Sequence, residues 1–324
     1  MPIASPSPDG DQPRDPPAAT AHRMRRQSGI GRRRVVLLGC YATFVLGWWR
    51  VNGVPLERLQ VLGWVLGALV IASVGRPDGS VVRIAKDWVP LALVLTAYDL
   101  TRGLADTLGM PVQREVLIRI ERIMAFGEIP SVLAQERLGP YAGSARWWEV
   151  VVSLVYLSHF VVPFTVLGVL WVLDRPGFGR YRHALLVLTA MGLLTYILVP
   201  AAPPWMASRD GLIGPVHRVV LRGMDTFGLD LGPVLIRYGP RFGNAVAALP
   251  SLHAGWSTLT ALFFSRRCRC RWWLLLFAYP LAMSVALVIS GEHYVFDVVL
   301  GGCYAIVAFG LESEWRRRSM RRTT

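Results

Sequence analysis

The residues best equipped for chemistry fall in two short runs, Pro250-Ser251-Leu252-His253 and His293-Tyr294-Val295-Phe296-Asp297. His293 and Asp297 are four positions apart, so on a helix they share one face. The carboxylate can then accept the proton of one imidazole nitrogen while the other nitrogen stays free. An imidazole held in that way is a competent nucleophile or base. Ser251 and His253 open a second helix, where unpaired backbone N–H groups and the helix dipole favour an anion. A third polar run, Tyr98-Asp99-Leu100-Thr101-Arg102, supplies a fixed positive charge in Arg102, with Asp99 three residues earlier to hold its guanidinium. Singly, each of these has a plain structural reading as a helix cap or an interfacial ion pair. Jointly, two histidines, two carboxylates, a serine and an arginine describe a place where an anion can be held beside an imidazole poised as nucleophile or base.

The elements that must carry these residues are membrane helices. Of 324 residues, 53% are hydrophobic and only 17% charged, and the mean hydropathy is +0.41. A soluble domain needs far more polar surface to cover its core. Apolar runs long enough to suggest spans recur at 35–50, 59–75, 87–105, 149–173, 183–200, 252–265, 272–290 and 294–311. Tryptophans such as Trp48, Trp49, Trp147, Trp148 and Trp171 stand near their ends, as amphipathic rings do at the headgroup level. The expected fold class is all-α, a polytopic integral membrane bundle of about eight spans. It divides into a disordered basic tail (1–34), two additional N-terminal spans (35–86), a six-span core (87–311) and a second basic tail (312–324). No hydrophobic stretch starts near Met1, so a cleaved signal peptide is not expected.

The net charge of +14 sits in short clusters between apolar runs: Arg32-Arg33-Arg34, the loops near 76–86, 175–182 and 266–271, and Arg316-Arg317-Arg318 with Arg321-Arg322. That is the positive-inside pattern and not a nucleic-acid face. It puts both termini in the cytoplasm of a bacterial-type plasma membrane and all three polar runs at the outer face. Two outer segments, 106–147 and 201–251, are long. Within the first, Val112 to Phe126 alternates Val116, Leu117, Ile120, Ile123 and Met124 with Arg114, Glu115, Arg119, Glu121 and Arg122, which predicts an amphipathic surface helix. Cys40, Cys268, Cys270 and Cys303 have neither disulfide nor zinc spacing, and four arginines around Cys268 and Cys270 oppose a divalent cation there.

Pro250-Ser251-Leu252-His253 together with Gly291-Glu292-His293-Tyr294-Val295-Phe296-Asp297-Val298-Val299-Leu300-Gly301 resembles the second and third motifs of the type 2 phosphatidic acid phosphatase superfamily. The chain is most similar to its inositol phosphorylceramide synthase-like branch, as are Pro200-Ala201-Ala202-Pro203-Pro204-Trp205 and the run Arg241 to Leu249. The resemblance implies a six-helix phosphatase-type core and a double displacement without metal or cofactor. In it His293 attacks phosphorus, Asp297 orients His293, His253 protonates the leaving alkoxide and Ser251 binds phosphate oxygens. Two phosphate-binding cations of the phosphatase branch are missing, since Tyr98 to Gly103 stands where its first motif should be and position 287 is Leu. Arg102 and Arg241 are the replacements the sequence offers. A phosphate diester carries less charge than a monoester, so fewer cations favour a diester.

The expected function is therefore a lipid phosphotransferase moving a phosphate-linked head group. A lipid phosphate phosphatase is the alternative in the same class, and an anion or lipid transporter the alternative in another. The expected partners are a lipid substrate and the membrane, with no nucleic acid; the sequence gives no handle on oligomeric state.

Overall fold

The structure, a computed structural model, describes residues 18–52, 58–73, 81–104, 110–139, 141, 143–226, 246–268 and 271–321. Among these residues there are twelve α-helices and one 3₁₀ segment. The helices are α1 (Ala18–Asn52), α2 (Arg58–Ser73), α3 (Val81–Leu104), α4 (Glu115–Met124), α5 (Pro130–Leu138), α6 (Trp147–Leu173), α7 (Arg175–Leu198), α8 (Pro204–Arg209), α9 (Val219–Asp225), α10 (Leu252–Ser265), α11 (Ala278–Ile289) and α12 (Val295–Arg321). The 3₁₀ segment, Arg271–Phe277, leads into α11.

Each apolar run lies mainly in helix, but the expectation of eight spans is met only in part. Arg32–Val51 of α1, with α6, α7 and α12, are long and apolar enough to cross a membrane; Gln60–Ser73 and Trp273–Ile289 are apolar but shorter. The shortfall has physical causes. The 14 residues of α10 extend about 21 Å at the helical rise, less than the roughly 30 Å of a hydrocarbon core. Arg83, Lys86 and Asp87 occupy the first turns of α3. At the other end of the chain, α1 begins at Ala18, so residues 18–34 of the expected tail continue the first apolar helix. Ala, Arg, Met and Gln in that stretch are good helix formers.

One continuous apolar core is shared by α2, α3, α6, α7, α10 and α12, with Phe164, Leu167, Leu185, Leu188, Trp256 and Leu259 buried at its centre. Sparse hydrogen bonds pin the helices across it: Tyr181 Oη pairs with Thr260 Oγ1 at 2.7 Å, and Trp256 Nε1 donates to Thr189 Oγ1 at 3.2 Å. At one end of the bundle the arginine-rich turns converge. Asp87 accepts from Arg175 Nη1 (2.7 Å) and Trp171 Nε1 (2.9 Å), Arg267 pairs with Asp174 (2.9 Å), and Arg180 lies 3.5 Å from the buried Glu312. Helices α6, α7, α10 and α12 carry the chain from there to the opposite, histidine-bearing end.

At that end the two long connections are tied to each other. Gln113 N–H donates to Pro200 O (2.8 Å) and Ala202 N–H to Gln113 O (3.0 Å). Ala201 N–H donates to Val246 O (2.6 Å) and Ala248 N–H to Ala201 O (3.2 Å). These isolated parallel bridges align Gln113, Ala201 and Ala247 and deliver the chain into Pro250 and Ser251. The expected amphipathic helix is present as α4, with a different polarity. Leu117, Ile118 and Glu121 face inward, whereas Val116, Ile123 and Met124 are exposed. The burial of Glu121 in place of an isoleucine is explained by what its carboxylate holds.

Candidate active site

Two helix starts meet at the histidine end because glycine lets them. α10 and α12 cross where Gly255 lies against the carbonyl of Gly301, and a Cβ on Gly301 would run into the carbonyl oxygen of Ser251. The Ser251 N–H donates to Asp297 O at 2.9 Å, and Tyr196 Oη donates to Pro250 O at 2.8 Å. Ser251 caps α10, its hydroxyl accepting from Ala254 N–H at 3.3 Å. That engagement fixes its side chain at the first turn, beside His253.

The second run is presented by a tight turn. Gly291 adopts φ +70°, and a Cβ there would strike Val216. The Gly291 carbonyl accepts from Trp205 N–H at 3.1 Å, while Glu292 and His293 N–H both donate to Leu287 O (3.1 and 3.3 Å). Gln135 braces this turn from α5. Its Nε2 donates to Ile289 O and His217 O (2.8 Å each), and its Oε1 accepts from His217 N–H (2.7 Å).

His293 is 6% exposed and Asp297 fully buried. Asp297 Oδ2 accepts from Tyr294 N–H at 3.0 Å and lies 3.5 Å from His293 Nδ1. The His253 and His293 rings stand with centroids 5.8 Å apart at an interplanar angle of 59°. They do not stack, and the gap between them suits a group attacked by one imidazole and released towards the other. The structure thus brings together His293, Asp297, His253 and Ser251. Asp99 and Arg102 lie in the last turns of α3, and their side chains fall outside the described residues, as does Arg241 altogether.

Several residues join the site that sequence reasoning passed over. His159, on α6 and 1% exposed, lies 3.9 Å from the His253 ring and 4.6 Å from Trp256, centroid to centroid. Tyr156, one turn earlier, stacks on His253 at 4.6 Å. Arg218 reaches Glu292, the neighbour of His293, with two hydrogen bonds (2.8 and 3.1 Å), its guanidinium 4.6 Å over the Trp205 ring. Burial opposes the charge on Arg218, and the Glu292 carboxylate more than offsets it, so its pKa lies above the usual arginine value. Nearby, burial pushes the Tyr141 hydroxyl up to about 12.

Glu121 completes the set. Fully buried on α4, it accepts from Val295 N–H (2.9 Å) through one oxygen and Phe296 N–H (3.3 Å) through the other, at the start of α12. Burial raises its pKa above the usual carboxylate range, with Asp297 adding repulsion, although the two amides pull it down. Leu287 is buried in an apolar cluster with Ala254, Met283 and Val298, so the position that carries a cation in the phosphatase branch packs here as core. Among the described residues no group of three or more His, Cys, Asp or Glu side chains is placed to hold a metal ion.

An all-helical protein with membrane-length apolar helices, and with two histidines and a buried aspartate gathered at paired helix starts, is of the class that the phosphatase-type motifs define. The chain belongs to the PAP2 superfamily, whose family model matches residues 136–311. It is similar to the phosphoinositol dihydroceramide synthase of Bacteroides thetaiotaomicron, with 30% identity over 251 residues, covering 74% of this chain and 79% of that protein. It is also similar to the catalytic subunits of inositol phosphorylceramide synthase from Schizosaccharomyces pombe (29% identity over 210 residues, 61% of this chain and 46% of the relative) and Saccharomyces cerevisiae (26% over 228 residues, 68% and 54%). The chain spans about half the length of these two yeast proteins. No solved structure matches it.

Proposed function

We propose that this protein is a lipid head-group phosphotransferase that uses His293 as nucleophile, and that the group it moves is phosphoinositol, passed to a ceramide-type alcohol. The observation that carries the reading is the separation of the His253 and His293 rings, 5.8 Å between centroids, with Asp297 behind His293 at 3.5 Å. The names of the similar proteins supply the head group and acceptor class.

In the first half-reaction an imidazole nitrogen of His293 attacks phosphorus of a donor phosphodiester. An N–P bond forms, the P–O bond to the donor lipid's alcohol breaks, and His253 gives its proton to the departing alkoxide. Asp297 stabilises the positive charge that builds on the His293 ring. In the second half-reaction His253 takes the proton of the acceptor hydroxyl, whose oxygen attacks phosphorus as the N–P bond breaks. Ser251 at the start of α10, with Arg102 and Arg241, contacts phosphate oxygens, and Asp99 supports Arg102. Arg218 is a further cation at the rim, already committed to Glu292. Two cations of the phosphatase branch are missing from the sequence, and a site with fewer cations suits the single charge of a diester better than a monoester.

For topology, the reading retains eight apolar helices in the membrane, α10 shorter than the hydrocarbon core is thick, with the arginine end cytoplasmic, the site at the outer face and residues 87–311 as catalytic core. Its support is that the arginine-bearing turns share one end of the bundle and the histidines the other. The deciding experiment uses detergent-purified protein with EDTA, phosphodiester lipids labelled in the head group and, separately, lipid monophosphates. Acceptor-dependent transfer, and a labelled enzyme that accumulates without acceptor, are expected. Faster release of inorganic phosphate from the monoesters than any diester turnover overturns the transferase reading in favour of a phosphatase.

A further inference from the structure

We infer that Glu121 is a positioning residue for the proposed reaction, holding the start of α12 so that Asp297 and His293 keep their alignment. The inference rests on the phosphotransfer reading given above, and it concerns a carboxylate on a helix outside the apolar spans.

The placement of Glu121 is costly without such a role. A fully buried carboxylate, close enough to Asp297 for repulsion to register, sits where a leucine or isoleucine would serve α4 better, since both neighbours on its inward face, Leu117 and Ile118, are apolar. What compensates it is the pair of amides. The first N–H groups of α12 have no partner inside the helix, and Glu121 takes two of them, one with each oxygen. A carboxylate there is further favoured by the positive end of the helix dipole.

The two amides belong to Val295 and Phe296, which lie between His293 and Asp297 in the chain. Asp297 itself holds the amide of Tyr294. Three successive amides are thus fixed by two carboxylates, one from inside the helix and one from α4. The rotation and tilt of this first turn set the direction in which Asp297 Oδ2 meets His293 Nδ1. Glu121 also fills the anion position at the tip of α12. The phosphate is thereby left to the other helix start, at Ser251 and His253, so that it is flanked by both imidazoles and does not bind beyond His293.

Three variants test this: Glu121→Ala, which frees both amides; Glu121→Gln, whose amide oxygen can accept only one of them well; and Asp297→Asn. Glu121→Ala is expected to lower kcat on the order of 10²-fold, the scale of a small misplacement of reacting groups, with KM for donor and acceptor unchanged. Glu121→Gln should fall between it and the native enzyme, and the rate of phosphoenzyme formation should follow kcat. The discriminating readout is the double variant. Because Glu121 acts through the His293–Asp297 pair, Glu121→Ala should cost little further once Asp297→Asn is present. Additive losses in the double variant, a native kcat in Glu121→Ala, or a change confined to KM overturns the inference. Should Glu121→Ala not survive purification, the same cycle is run with Glu121→Gln, and additive or non-additive losses there decide the matter in the same way. Loss of turnover in His293→Ala alongside a silent Glu121 would defeat this inference alone, whereas undiminished turnover in His293→Ala would defeat the phosphohistidine reading.

Discussion

The two ends of the bundle use charge in opposite ways. At the arginine end the carboxylates are paired with fixed opposite charges: Asp87 with Arg175 and Arg182, Asp174 with Arg267, Glu312 with Arg180. These pairs close helix turns against each other. At the histidine end the ion pairs Arg218–Glu292 and Arg222–Glu149 form a fence, and beside it stand two imidazoles, His293 and His253, with their ring centroids 5.8 Å apart. One end is arranged to stay as it is, and the other, in the proposed reaction, to pass a proton and a phosphoryl group. In a membrane protein this division follows from solvent: charges near the bilayer persist only when paired or when used.

Breaking the second end should affect rate, and breaking the first should affect stability. The largest effect is expected from His293→Ala, a loss in kcat on the order of 10³-fold or more, with the detergent melting temperature unchanged; a comparable fall in melting temperature would erase the distinction between the ends. Next comes Gly301→Ala, which forces α12 off the Ser251 carbonyl. It should destabilise by about 1–3 kcal/mol from overpacking and lower kcat on the order of 10²-fold, read by melting and turnover on the same preparation. Asp87→Asn, at the other end, should lower stability by about 1–2 kcal/mol, allowing for its partial exposure, and leave kcat/KM at the native value.

The smallest expected effect is in pH. The carboxyl of Glu121 titrates above its unfolded value, so its contribution to stability is complete below the ordinary carboxylate pKa and is lost as pH rises through the raised one. The melting temperature of the native protein, measured relative to Glu121→Gln, should therefore decline from acidic towards neutral pH. A relative rise over the same interval would mean that the carboxylate is stabilised, not strained, in its pocket.

Much of this contrast is legible in the sequence. Apolar runs mark the helices, the arginine clusters mark one end, and the four-residue spacing of His293 and Asp297 gives the pairing, because helical periodicity is a local rule. What the sequence hides depends on contacts between distant segments. Arg218 meets Glu292 across 74 positions, and Glu121 meets Val295 across 174; no local pattern encodes either. His159 is hidden differently, as a lone histidine among the apolar residues of α6, although an ionisable group in such a run is itself a signal. On α4 the alternation of apolar and charged residues suggests that charges face water, and Glu121 reverses this because the first amides of α12 need an acceptor. Of the proposed phosphate contacts, Ser251 is legible as a helix cap and is found as one.

The crossing of α10 and α12 at Gly255 and Gly301 has a mechanical consequence. Backbone rests on backbone there, so no side chain stands between the two helices at this point to act as an adjustable spacer. The distance between the two imidazoles is then a property of two stiff rods at their pivot. It changes by tilting one rod against the other, a collective motion of microseconds to milliseconds, and not by the faster hopping of a rotamer.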